Sequence, residues 1–247
     1  MPDFSTLQTT VQTRVIDVLS EVNLAIPGWL NLGVKVAESR HNFNHMRKEH
    51  SVVTTVSSNA LGSFPTGWKA RRNKPYIVYN ARGTSVIDWL DSEGEIVTRF
   101  QEGDPNDIGT PKYIWDDPSD VLEVFPAANN LSDYSDGNWR LTLPYWGKTT
   151  ELVNPTDTNW FTDNADEYLI NFALANAFLM MREEERALVF SRIAGYDVSS
   201  GEYLNTGELK RIVNEDKRRR FSSGQTLAVR SGVFGRVPSN RTRRRFY

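Results

Sequence analysis

Apolar residues open the chain at helical spacing. Leu7, Val11, Val15, Val18 and Val22 recur every three or four positions, with Ser5 placed to cap the start, and predict a helix over 5–22. Pro27 is expected to open a second helix in its first turn, where a missing N–H costs nothing. Trp29, Leu30, Val34, Ala37 and Phe43 would form its buried face, and its end is expected near Lys48. From residue 49 to 161 the helical period gives way to short β-like runs: Ser51–Val56, Tyr76–Tyr79, Ser85–Leu90, Ile96–Phe100, Lys112–Trp115, Val121–Phe125 and Asn138–Trp146. That stretch holds 15 of the 28 aromatics, 8 of the 11 prolines and 8 of the 16 glycines, the mixture of strand formers and turn residues that an all-β barrel or sandwich needs. Helix returns at Asp163, read as an N-cap with Asp166 and Glu167 in the first turn. Leu169, Ile170, Phe172, Ala173, Leu174, Ala177, Phe178, Met180 and Met181 cover most of that helix's circumference, so it is expected at the centre of a helical domain. The polar cluster Arg182–Arg186 marks either a bend or a solvated turn. Ala187–Ile193 continues as helix, and Gly195 breaks it. A last helix starts near Asn205, with Glu208 at capping-box spacing, carries Leu209, Ile212 and Val213, and runs into Lys217–Arg220.

The expected fold class is α+β. Residues 1–48 and 162–220 form one helical bundle, residues 49–161 an inserted all-β domain, and residues 221–247 an extended basic arm that is too polar to fold alone.

Charge sharpens this picture. The formal net charge of −2 hides an asymmetry: residues 217–247 carry ten basic groups and no acid, whereas the rest is acidic on balance. Such a tail seeks nucleic acid or an acidic protein surface. The chain has no cysteine, which excludes disulfides and zinc–thiolate sites. The opening MPDFSTLQTT lacks a charged n-region and an apolar h-region, and no apolar run reaches bilayer length, so no secretion and no membrane partner are expected.

No GxSxG, Walker, HExxH or GxGxxG pattern occurs. His41 and His45 stand one helical turn apart, as two metal ligands would, but only Glu49 is placed to add a third, and a solvated helix face is the simpler expectation. No metal and no cofactor are therefore expected. Acids cluster at Asp88, Asp91, Glu93 and Glu95 and again at Asp116, Asp117, Asp120 and Glu123, with Trp89, Trp115, Trp139 and Trp146 nearby in sequence. A polysaccharide-binding or -hydrolysing cleft uses both residue types, as does the ordinary surface of a β-domain.

Several segments resemble the head-to-tail adaptor (connector) proteins of short-tailed bacteriophages: Val11-x-x-Arg14-x-x-Asp17-Val18, Pro27-x-Trp29-Leu30-Asn31-Leu32, Phe43-Asn44, and Asn159-Trp160-Phe161 leading into the run Asp166–Leu174. The resemblance spreads over nearly the whole chain, with a β-insertion larger than in the smallest, all-helical adaptors. It implies a non-enzymatic virion protein in the neck, made in the host cytoplasm. Twelve copies would form a ring between the portal protein above and tail or nozzle proteins below, with double-stranded DNA passing through. It also implies a terminal arm that docks into the portal, here Arg241, Arg243, Arg244, Arg245, Phe246 and Tyr247. Arginines supply forked hydrogen bonds to carboxylates, and the two aromatics supply burial with few rotors to freeze. The rival readings are a nucleic-acid binder acting through the basic tail and a β-domain acting on polysaccharide.

Overall fold

The structure is a computed structural model that describes residues 2–15, 20–80, 83–92, 94, 95, 98, 108–117 and 121–219. It is mixed α+β, and the chain divides into two compact units: residues 1–44 with 151–247, and residues 45–150.

The first unit is helical. Helix α1, Phe4–Arg14, is capped by Asp3 rather than Ser5, and Val15 already has extended backbone. The expected single helix over 5–22 is therefore too long at its end. Helix α2, Ser20–Arg40, starts two turns before Pro27, which lies inside it instead of opening it. An interior proline removes one helical hydrogen bond and costs about 3 kcal/mol. Val22 and Ile26, both fully buried before it, return about 1.5–3 kcal/mol each and outweigh that cost. The helix ends at Arg40 and does not reach Lys48: Phe43 and Met46 continue the apolar pattern, but as a buried connection and a short 3-10 turn.

After the second unit, Asn159 caps a short helix α3, Trp160–Asn164, in a reciprocal capping box with Thr162. Asp163, expected as the cap, lies within that helix. Helix α4, Asp166–Met180, follows directly and is buried nearly all round, from Tyr168 to Ala175 and again at Ala177 and Phe178. It packs against α1, α2 and α3, and against α5, Glu184–Ala194. The expectation of a central helix here holds. Gly33 of α2 lets the two helices close up, since a Cβ there would lie 3.2 Å from Leu169 and Phe172. The Tyr168 hydroxyl donates to the Gly33 carbonyl at 2.9 Å, and burial holds this phenol far above its ordinary pKa. A turn at Met181–Arg182 separates α4 from α5, and Gly195 ends α5 in the left-handed region at φ +84°, where a side chain would strike the Thr206 carbonyl. A final helix α6 covers residues 207–219, two residues later than the expected start near Asn205.

The start of α1 is pinned by carboxylates. Asp157 accepts from the backbone amides of Val153 and Asn154 at 2.9 and 2.8 Å, and its own carbonyl accepts from Phe4 N at 3.0 Å. The Asn154 and Val153 amides hold its carboxyl below the usual range. Hydrogen bonds from Thr6 and Ser5 do the same for Asp3. A depressed folded pKa contributes stability that is complete above the unfolded value of roughly 4 and is lost as pH falls through the folded value. Acidification below roughly pH 4 should therefore release the α1 start first. Amide exchange at Val153, Asn154 and Thr6 should accelerate there, and Asp157→Asn should remove that pH dependence at Val153 and Asn154. Acid-insensitive exchange at both amides in the wild type would contradict this.

The second unit is built on strands. In one sheet, β1 (Arg47–Val53), β11 (Arg140–Gly147), β4 (Tyr76–Tyr79) and β5 (Gly83–Val86) lie in that order, and β3 (Trp68–Arg71) pairs with the far end of β11. In the other, β2 (Ala60–Ser63), β9 (Val121–Phe125), β8 (Tyr113–Asp117) and β6 (Asp88–Trp89) adjoin one another in turn. The pair β7 (Ile108–Gly109) and β10 (Ala127–Ala128) forms a separate parallel two-stranded sheet, with Ala128 in the unit's core. The first strand begins at Arg47, four residues before the expected Ser51. None of the sheets among the described residues closes into a barrel. Instead one core joins both: Val52, Ile77, Leu141 and Leu143 from the first sheet meet Ile114 and Leu122 from the second, with Trp139 alongside.

Candidate functional site

The terminal residues Arg241, Arg243, Arg244, Arg245, Phe246 and Tyr247 lie outside the described residues. The helix that leads to them does not. Leu209, Ile212 and Val213 sink α6 into the helical unit. Near its end Asp216, only 4% exposed, takes His41 Nε2 at 2.8 Å and the Asn44 amide at 2.9 Å. A buried carboxylate of this kind persists because an imidazole nitrogen and a backbone donor replace its water. Asp216 thereby ties α6 to the segment after α2. Beside it, Phe43 packs at 5.2 Å against both Trp160 and Phe161, with His41 edge-on at 4.8 Å. Phe43-Asn44 and Asn159-Trp160-Phe161, far apart in sequence, are thus one cluster. On the outer side of α6, Arg211 pairs with Glu208 and Glu215 at 2.6 and 2.7 Å, and these two acids hold its guanidinium above its ordinary pKa.

The histidine pair does not form a metal site. His41 lies beyond the end of α2 and bonds Asp216, whereas His45 belongs to the other unit and bonds Thr149 Oγ1 at 2.9 Å. Among the described residues no group of three or more His, Asp or Glu is placed to hold a metal ion, and no described helix is long and apolar enough to cross a membrane.

The acid-and-tryptophan region resolves around a residue that the sequence pattern does not single out, Arg71 on β3. Its Nη1 donates to Asp91 at 2.7 Å, its Nε to Asp116 at 2.9 Å and its Nη2 to the Leu90 carbonyl at 2.8 Å, with a further Nη2 bond to Asp116. The guanidinium lies 4.7 Å from the Trp89 ring centroid. Burial pulls its pKa down, but the hydrogen bonds and charges of Asp116 and Asp91 outweigh burial and leave it above the ordinary value. Lys74 meets Asp88 at 2.5 Å, and Glu95 accepts from the Asp91 amide at 2.8 Å. Trp139 is buried, its indole N–H donating to Asn129, while Trp146 lies under Arg47. Of the eight acids singled out in sequence, Asp88, Asp91 and Asp116 are neutralised by cations here; Glu93 and Asp120 lie outside the described residues. A hydrolytic pair needs one carboxyl free to hold a proton and another free to face the sugar. Through Arg71, Asp116 instead joins β3 to the second sheet and Asp91 joins it to the segment after β6, while Asp88 holds Lys74 from the segment between β3 and β4.

No protein-family model matches the chain, and a search of curated proteins returns no match.

Proposed function

We propose that the chain is a structural virion protein, a head-to-tail adaptor that forms a ring below the portal of a short-tailed bacteriophage. On this reading it acts in the virion neck, links the capsid vertex to the tail or nozzle proteins, lines the DNA exit channel without reading sequence, and catalyses nothing. Twelve copies and a helical bundle with the β unit inserted as a sandwich belong to the same proposal. Its main support is the anchoring of α6. A buried Asp216 locks that helix to the segment after α2, so α6 has a fixed end at residue 219. The segment beyond it carries seven arginines and no acid, and ends in Arg243-Arg244-Arg245-Phe246-Tyr247. A charged, aromatic-tipped segment on a rigid root suits capture of an acidic partner, and several weak arms on one ring gain by multivalency. The polysaccharide reading finds less support, because Asp88, Asp91 and Asp116 already answer to Lys74 and Arg71.

Mixing the protein with a purified portal ring, and separately with duplex DNA at physiological salt, tests the proposal. A portal-specific complex is expected; salt-sensitive DNA binding alone would favour the nucleic-acid reading. Deleting 236–247 should leave thermal stability nearly unchanged and abolish portal binding. Glutamate at Arg241, Arg243, Arg244 and Arg245 should match the deletion, through repulsion from an acidic surface, while lysine there should cost less, since only the planar fork is lost. Full portal binding by the deleted chain would remove the arm from the mechanism.

A further inference from the structure

Two helix faces of the helical unit are apolar and exposed. On α2, Leu24, Gly28 and Leu32 recur every fourth residue and so form one ridge. Leu24 is 83% exposed and Leu32 44%. Gly28 between them is exposed as well, and a Cβ there would meet nothing within 4 Å. Alanine would fit and would suit a helix better, so nothing within the subunit calls for the glycine. Its missing side chain leaves a notch in the ridge, where a second helix can approach closely. On α5, Val189 and Ile193 stand four residues apart on one exposed ridge, with Leu188 exposed beside it. Helices α2 and α5 each pack on α4 and make no extensive contact with each other.

The charges say how such faces meet. On α2, Glu21 lies at the N-terminal end of the row and Lys35, which also pairs with Glu151, at the other. On α5, Glu184 and Glu185 come first, Arg186 beside them is already paired with Glu183 at 2.9 Å, and Arg192 comes last. An antiparallel approach sets acid against base at both ends and opposes the helix dipoles favourably; a parallel one sets like against like. A twofold pair of α2 helices would cover one apolar face and leave the other bare, whereas α2 against α5 covers both.

We infer that α2 of one copy docks antiparallel on α5 of a second copy, with Val189 of the Val189–Ile193 ridge in the Gly28 notch. Because the two faces differ, the contact is head-to-tail, the kind that generates rings. Only ring closure rests on the adaptor reading; the contact itself is a property of this chain.

The chain has no cysteine, so introduced thiols report alone. Leu24→Cys and Ile193→Cys, both at exposed positions that this register sets opposite each other, should give a covalent heterodimer when mixed under oxidising conditions. Neither should cross-link by itself, and the double variant should give a ladder of multimers. Adding Gly28→Leu to the Leu24→Cys chain should cut the yield roughly tenfold, as loss of a packed contact does, without lowering the thermal midpoint. Gly28→Ala is the milder version, with a smaller loss. Homodimers from either single variant, no product in the mixture, or an undiminished yield with Gly28→Leu at an unchanged thermal midpoint would overturn the inference. Failure of the adaptor reading shows elsewhere, as a missing portal complex.

Discussion

Phe172→Ala should cost the helical unit about 3–5 kcal/mol, the usual range for removing a buried phenyl ring. Phe172 is 1% exposed. Its ring lies beside Gly33 of α2, 6.0 Å from the Tyr168 ring and 5.5 Å from Tyr196. The cavity would be bounded by one helix closing on another and by two large rings, none of which can collapse freely into it. Against a total stability on the order of 5–15 kcal/mol, such a loss brings the unit close to unfolding at body temperature. Helical circular dichroism should show a midpoint roughly 10 °C lower. A drop of less than about 1 kcal/mol would mean that α4 is not the centre of this unit.

Arg71→Met should cost the β unit about 2–3 kcal/mol. The figure is set below that for a fully buried pair, because the side chain is 26% exposed. Methionine keeps the stem's volume but leaves Asp116 without its cation, the Leu90 carbonyl without its donor and Trp89 without its stacking partner. Arg71→Lys should lose less, keeping the charge and giving up the fork. Combining Arg71→Met with Asp116→Asn should recover part of the loss, since no carboxylate is then left unpaired at that position. Urea unfolding followed by tryptophan fluorescence measures each variant. An Arg71→Met protein within about 0.5 kcal/mol of wild type would show that the carboxylates do not need this cation.

Local pattern is the part of the fold that sequence makes legible. The dense apolar run around Phe172 announces a helix buried on every side, because no solvent-facing stripe interrupts it. Alternation and turn residues locate most of the strands between Tyr76 and Trp146. The departures share a cause. Pro27 is a sound local signal for a helix start, but Val22 and Ile26 are buried in a core whose other members lie far along the chain. Phe43 reads as part of the buried face that includes Ala37 because both are fully buried, but one lies in the helix and the other in the chain beyond it. Arg71 is invisible as a hub because Asp91 and Asp116 lie 20 and 45 residues further on. His41, expected on a solvated helix face, finds Asp216 across 175 residues. Distant partners of this kind leave no periodicity behind. The exposed ridges of α2 and α5 are hidden for the opposite reason: an apolar residue in an amphipathic pattern reads as core until the fold leaves it outside.

Strand β11 pairs with β1, β3 and β4, and so is the piece that makes the first sheet one object. It is also the last of them to be synthesised, starting at Arg140 where β1 ends at Val53. At about 5–20 residues per second the ribosome delivers it several seconds behind its partners. During that interval β1, β3 and β4 have no shared neighbour, and the loop that must close is long. Helix α2 waits longer still, for α4, and the Asn44 clasp waits for Asp216 on the final helix. Biosynthesis thus imposes an order. The β unit can close on itself while α1 and α2 still lack α4, and the helical unit seals only as α6 arrives, so the root of the basic arm is fixed after the β unit has closed.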